Sequence, residues 1–206
     1  TRPKIIADVL QAFPPAQLSA GERLFRIRVN PNNPADPIQY DSPPVHFLGK
    51  GRMDSSDFPV LYCSKDVEGC VHECRVTIED EIYLATLTVT RSLKLLDLTA
   101  KIEEPGVTEF ESLDMAIHML FFAGDHSYSI SRDIAKAAFR NGYDGLLVPS
   151  YFSQVRSGKM PFETVFGISL RRFPRGDAYA KWGLFSNIVL FGRPVADALV
   201  SVSCIN

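Results

Sequence analysis

The sequence lacks the features that mark membrane proteins, disulfide-rich secreted domains and duplex-binding proteins. No uncharged apolar run reaches the roughly 18 residues of a membrane span, and the first residues lack the pattern of a secretory signal. Four cysteines in 206 residues are too few for a disulfide framework and favour reduced thiols in a cytosol. The formal charge of −2 is not the basic excess typical of duplex binding. We therefore expect neither a membrane nor a nucleic acid as partner.

Several motifs of common enzyme classes are also missing. No Walker pattern occurs, and no Gly-x-Gly-x-x-Gly opens a helix, so we do not expect a P-loop or a Rossmann site. Ser150 is not surrounded by Gly-x-Ser-x-Gly, and the histidines lack His-Glu-x-x-His spacing. Cys63, Cys70 and Cys74 lack a fourth convergent ligand, since His72 falls on a different helix face. We expect no bound metal, with Cys70 and Cys74 packing along one face of a helix.

The composition that is present is that of an ordinary globular domain. Hydrophobic residues make up 46% of the chain and charged residues 22%, and a chain of this length can bury a sizeable core. We expect one domain over residues 1–206, with an N-terminal helical extension at 1–21 and a core at 22–206. Because the chain begins with Thr1 rather than Met, we also expect it to be excised from a longer protein.

Periodicity and end signals predict the secondary structure. Helices are predicted over 1–13, 64–76, 112–122 and 131–142, with Ser64 and Ser131 as caps. Strands are predicted over 23–29, 59–63, 82–90, 93–99, 143–150, 163–170, 187–192 and 198–204, with a tight connection between the third and fourth. Met115, Met119, Leu120 and Phe121 read as core. Since helices and strands mix without strict alternation, the fold class is α+β.

Three chemically distinct side chains stand close together in the sequence. Arg52 lies in a Gly-flanked loop, where backbone and guanidinium could approach a phosphate. Tyr62 ends a short apolar run, and Glu73 lies on a predicted helix among small or apolar neighbours. A carboxylate in such a cleft could stabilise an oxocarbenium-like centre. Ordinary solvated surface positions for Arg52 and Glu73 are the alternative.

Taken together, these residues resemble the RES family, which is named for an arginine, a glutamate and a serine. The resemblance rests on "LFRIR", "GKGRM", "PVLYCS", "HEC", "LKLLDLT" and "GYDGLLVPS" in this order, from about Leu24 to Ser150 and more faintly to Phe166. Arg52 precedes Tyr62 by ten residues, and Glu73 follows Tyr62 by eleven. Asp54 stands where many members have Asn, which would place a negative charge beside an anionic ligand.

The resemblance implies a fold, an activity and a set of site residues. The fold would be ADP-ribosyltransferase-like, with a central, mostly antiparallel β core and flanking helices. The activity would be that of a bacterial toxin that cleaves the nicotinamide–ribose bond of NAD+, with water or inorganic phosphate as acceptor and no metal or other cofactor. The implied catalytic residues are Glu73 and Arg52, and the implied substrate-binding residues are Arg26, Tyr62 and Ser150. Lys50, Arg156 or Lys159 would serve a second anion site.

The same resemblance implies a partner and leaves two alternative functions open. A free NAD+-degrading enzyme endangers its host, so an antitoxin or immunity protein would neutralise it. It would act in the cytoplasm, whether made there or delivered as a secreted effector domain. An ADP-ribosyltransferase that modifies a protein or a nucleic acid would use the same arginine and glutamate. A non-catalytic nucleotide-binding module is the third possibility.

Overall fold

The computed structural model describes residues 1–108, 110–150 and 186–206, together with two short strands at 164–165 and 168–169. The helices within these residues are α1 (Arg2–Ala12), α2 (Val67–Cys74), α3 (Leu113–Phe122) and α4 (Tyr128–Arg140). The strands are β1 (Pro15–Leu18), β2 (Arg23–Val29), β3 (Val60–Ser64), β4 (Ile82–Val89), β5 (Leu93–Asp97), β6 (Gly145–Pro149), β7 (Thr164–Val165), β8 (Ile168–Ser169), β9 (Ser186–Phe191) and β10 (Val200–Ile205).

Eight of these strands form one sheet in the order β1-β5-β6-β9-β3-β2-β4-β10. Only β5 and β6 run parallel; the other neighbours in this sheet are antiparallel. β7 and β8 pair separately, where a single strand over 163–170 was predicted. The α+β class, with a mostly antiparallel sheet and flanking helices, is confirmed.

The short connection between β4 and β5 shows that the sheet curls strongly. The two strands are far apart in the strand order, yet only three residues connect them. Five strand spacings in a flat sheet would separate them by about 24 Å, whereas the four steps from Val89 to Leu93 reach about 14 Å at most. Strands from both halves therefore enclose one core, which includes Leu24, Leu87 and Leu190. The predicted tight connection exists, but it does not form a hairpin.

The other sheet face is covered by helices α1, α3 and α4. Val9 and Phe13 from the N-terminal segment, Phe121 from α3 and Ile134 from α4 are buried against strand residues such as Val189. The alternation of residues along β9, with Ile188 in one core and Val189 in the other, follows from the two-residue repeat of a strand. Within the described residues, no helix combines the length and apolar character needed to span a membrane.

Several local predictions differ from the structure. β1, which was not predicted, adds to the sheet edge by pairing with β5. The cap of α2 is Asp66, whose side chain accepts from the Glu68 N–H at 2.9 Å, because Ser64 still belongs to β3. Ser131 is not a cap but a buried residue inside α4, which begins one turn earlier.

Four residues of α3 were predicted to be core: Met115, Met119, Leu120 and Phe121. Met115 and Phe121 are buried, but Met119 is 55% exposed. Met119 lies on the solvent side of an unusually apolar helix, so composition alone did not reveal which face is buried.

Candidate active site

A cleft of about 560 Å³ opens beside the point where β2 and β3 diverge. These two strands pair only at Phe25 and Ser64. The described wall of the cleft comes from β2, the loop before β3, β3 itself, α2, the end of α3, the start of α4, β6 and β9. A cavity of this size suits a small-molecule ligand.

Glu73 is held at one wall by two donors from different strands. It lies in the last turn of α2 and is exposed. Its Oε1 accepts a hydrogen bond from Ser150 Oγ at 2.5 Å and another from Asn187 Nδ2 at 2.5 Å. Ser150 directly follows β6, and Asn187 lies on the adjacent strand β9. The sheet therefore brings both donors to one carboxylate.

Thiols attach α2 to the sheet. The Cys70 Sγ donates to the Phe25 carbonyl at 3.1 Å, and the Cys74 Sγ lies 3.8 Å from the Ile27 carbonyl. Burial raises the pKa of Cys70 to about 12 and also raises the pKa values of Cys63 and Cys74, so these groups remain protonated thiols. No group of metal-binding side chains is assembled among the described residues.

Arg26 bridges the two diverging strands. Its side chain is only 7% exposed, and it donates to the Tyr62 carbonyl at 2.6 Å and the Asp41 carbonyl at 3.2 Å. A continuous sheet would supply the Tyr62 carbonyl with a backbone donor from β2. Desolvation lowers the pKa of Arg26. Arg26 thus lines the cleft while taking the place of a missing strand hydrogen bond.

Arg52 lines a second wall of the cleft and is hydrogen bonded to the end of α3. Its guanidinium donates to the carbonyls of Leu120 at 2.8 Å and Ala123 at 3.0 Å. It also lies over the Tyr128 ring, 4.8 Å from the ring centroid. The last carbonyls of a helix lack intrahelical partners and attract cations. Arg52 therefore fixes the end of α3 as well as contributing positive charge to the cleft.

Helix α4 holds the loop that carries Arg52 in place through hydrogen bonds from Arg132. Arg132 donates to the carbonyls of Gly49 at 2.8 Å and Gly51 at 2.7 Å. The Asp54 carboxylate is 4% exposed and accepts from the Gly49 N–H at 2.5 Å. A Cβ at Gly51 would lie 2.1 Å from Asp54 Oδ1, so a larger residue there would have to displace the Asp54 carboxylate. The loop backbone thus stabilises the Asp54 carboxylate through a hydrogen bond.

Tyr62 is fixed in the cleft by its hydroxyl group. The Tyr62 oxygen accepts from the Met53 N–H at 2.9 Å, and burial raises the Tyr62 pKa. The phenol therefore stays protonated and keeps a proton to donate. Arg26, Arg52, Tyr62 and Glu73 all line the cleft, and Ser150 contacts Glu73.

Of the three residues predicted for a second anion site, the structure describes one, Lys50. Lys50 lies near the Phe47 ring, with Nζ 5.6 Å from the centroid, and does not line the described cleft. Arg156 and Lys159 lie outside the described residues.

A family model described as the RES domain matches residues 23–159, which is more than half of the chain. The chain belongs to the RES domain family. No curated protein matches this RES domain. Among solved structures, it is similar to the toxin in the crystal structure of the M. tuberculosis MbcT–MbcA toxin–antitoxin complex. The TM-score is 0.53 and the identity 15%, over 98% of this chain and 90% of that chain, so the likeness shows a shared fold.

Three residues of this RES domain that line or support the cleft were not predicted from the sequence: Asn187, Tyr128 and Arg132. Tyr128 and Arg132 are four residues apart, which places them on one helix face, but no local pattern connects them with the glycine loop. Asn187 begins an apolar run that reads as an ordinary strand. It lies beyond the matched residues and 114 positions from Glu73, so only the folded structure reveals the contact.

Proposed function

We propose that this RES domain is a toxin-type enzyme that degrades NAD+ by cleaving the nicotinamide–ribose bond. The observation that carries the proposal is the Glu73 carboxylate, exposed in a cleft and oriented by Ser150 and Asn187. Membership of the RES family and the fold shared with a toxin support it at a general level.

The proposed reaction needs a negative charge beside the ribose. When the bond breaks, nicotinamide leaves with the bonding electron pair, and positive charge develops on the ribose ring. A fixed carboxylate stabilises this charge in the transition state. Glu73 Oε1 is occupied by two donors, whereas Oε2 accepts no hydrogen bond from the described residues. We assign Oε2 to a ribose hydroxyl or to the attacking acceptor.

The arginines and Tyr62 provide the proposed binding groups for the rest of NAD+. The pyrophosphate is anionic, and Arg26 and Arg52 place two guanidinium groups along the cleft. The groups that accept hydrogen bonds from these arginines are neutral carbonyls and a hydroxyl, not carboxylates, among the residues that the structure describes. Tyr62 offers an aromatic face to nicotinamide and a hydroxyl proton to a ribose oxygen.

The acceptor and the cellular partner follow from the same proposal. Water would give ADP-ribose and a proton, and inorganic phosphate would give ADP-ribose phosphorylated at the anomeric carbon. Nicotinamide is a fair leaving group, so the residues of the cleft suffice without a metal or another cofactor.

An antitoxin or immunity protein would neutralise the enzyme in the cytoplasm, where NAD+ is consumed.

The test is to incubate the purified chain with NAD+ alone, with and without inorganic phosphate, and to identify the products by mass spectrometry. We expect nicotinamide release without any added macromolecule. A product dependent on phosphate identifies a phosphorylase, and ADP-ribose in both samples identifies a glycohydrolase. Nicotinamide release only after a protein or nucleic acid is added would contradict the proposal and indicate a transferase.

A further inference from the structure

Glu73 lies at a position that would be poorly fixed without help from the sheet. α2 has eight residues, and Glu73 is in its last turn, directly before Cys74. The ends of short helices fray, and the Glu side chain has several rotatable bonds. The carboxylate is nevertheless restrained, because two donors from the sheet converge on Oε1.

The two donors differ in their relation to the cleft. Ser150 is fully buried and does not line the described cleft, whereas Asn187 does. Asn187 also lies beyond residues 23–159, the part of the chain matched by the family model. Its amide is therefore the cleft-lining donor that the arginine, glutamate and serine pattern does not include.

The backbone of Asn187 is held rigidly on both sides. It pairs with Ser64 of β3 and with Val148 of β6. Strand β9 is thus an interior strand of the sheet, and a side chain on it is placed more accurately than one on a loop. Glu73, on a short helix, receives its orientation from this more rigid element.

From this arrangement we infer that Asn187 is a positioning residue, which orients the Glu73 carboxylate toward the ribose; the inference rests on the proposed function. Because the amide is neutral, it orients Glu73 without cancelling the negative charge that the transition state needs. A lysine or arginine at this position would hold the carboxylate but would also compensate its charge.

The test compares the purified wild-type chain with Asn187→Ala, Asn187→Asp and the control Asn32→Asp. Asn32 is exposed in a loop and does not line the described cleft. The control Asn32→Asp therefore makes the same chemical change away from the cleft. For each protein, kcat and KM for NAD+ are measured from pH 5 to 9, together with thermal unfolding. Besides Glu73, the other titratable groups of the described cleft stay unchanged: Arg26, Arg52, Tyr62, Cys63, Cys70, Cys74, Arg75 and Tyr128.

We expect Asn187→Ala to lower kcat about 10- to 100-fold, as for the loss of a hydrogen bond to a charged group, with KM changed less than about threefold. Asn187→Asp adds a second carboxylate, which disfavours ionisation of the pair. The acidic limb of its kcat profile should move to higher pH by about one unit or more. Asn32→Asp should match the wild type.

The outcomes separate the inference from the proposed function. If the wild type does not release nicotinamide, the proposed function fails first. If the wild type is active, the inference is overturned by a kcat within twofold for Asn187→Ala, or by a change confined to KM. If Asn187→Ala does not fold, the nearly isosteric Asn187→Asp decides, and an acidic limb that coincides with the wild type overturns the inference.

Discussion

The charged side chains at the two walls of the cleft differ in how they are bonded to the rest of the fold. At one wall, Ser150 and Asn187 orient Glu73 by donating to its Oε1. Its Oε2 accepts no hydrogen bond from the residues that the structure describes. At the other wall, the Arg52 guanidinium donates to Leu120 and Ala123 carbonyls at the end of α3. Two charged residues of one sequence pattern therefore have different relations to the fold: Glu73 is supported by the structure, whereas Arg52 also supports it.

This difference predicts which property each substitution changes. Removing the Glu73 charge leaves the donors with an acceptor as long as an oxygen remains at the same place. Removing Arg52 takes a donor away from two partly buried carbonyls at the end of α3, and the loss of a hydrogen bond from a charged donor costs free energy. Glu73 substitutions should therefore act on the reaction, and Arg52 substitutions on the free energy of unfolding and on binding.

The largest effect is expected for Glu73→Gln. Glutamine keeps a side-chain oxygen for Ser150 and Asn187 but removes the negative charge. We expect kcat for nicotinamide release to fall by about 10²–10³, equivalent to about 3–4 kcal/mol, with little change in NAD+ affinity or in thermal unfolding. Steady-state kinetics and calorimetry of NAD+ binding measure these quantities.

The matched control for this substitution is Glu79→Gln, because Glu79 is exposed, lies shortly after α2 and does not line the described cleft. It should leave kcat unchanged. Near wild-type turnover by Glu73→Gln would mean that Glu73 is a surface residue of α2, and the proposed reaction would lose its central group.

An intermediate effect is expected for Arg52→Ala. Loss of its hydrogen bonds and of the contact with Tyr128 should lower the free energy of unfolding by about 2–3 kcal/mol and raise KM for NAD+. Urea denaturation and kinetics measure the two effects. Arg52→Lys should recover part of the affinity but little stability, because an ammonium retains the charge without the planar fork. Unchanged stability in Arg52→Ala would remove the contrast between the walls.

The sequence predicted the elements whose patterns are local. β2 has the predicted bounds of Arg23–Val29, and α1 and α3 lie within one or two residues of their predicted ends. The family pattern also selected residues that the fold brings together, since Ser150 and Glu73 are 77 positions apart and hydrogen bonded. The structure brings the predicted site residues together at one cleft, and their roles in binding and catalysis remain proposals.

What the sequence did not reveal depends on contacts between distant segments. Nothing in the pattern of β2 shows that Arg26 is buried, because its burial requires β3 to diverge and to offer the Tyr62 carbonyl. The connection at Thr90–Ser92 has the composition of a turn, but whether its strands pair depends on the curl of the whole sheet. Arg52 likewise finds its partner at Leu120, 68 positions away.

The smallest effect is expected for Arg132→Ala, which loosens the glycine loop from outside the cleft. Arg132 is half-buried and donates to the Gly49 and Gly51 carbonyls. Its loss should lower the free energy of unfolding by about 1–2 kcal/mol and raise KM a few-fold, with kcat unchanged. Arg140→Ala, at the exposed end of the same helix, controls for loss of a helical arginine.

A double variant with Glu73→Gln then tests whether the walls are independent. Arg132 and Glu73 share no recorded hydrogen-bond partner among the described residues. Substitutions at sites without shared partners usually add within about 0.3–0.5 kcal/mol. We therefore expect the effects on kcat/KM to add. A coupling well above this range would mean that the glycine loop helps to position the carboxylate, so that the two walls act as one unit.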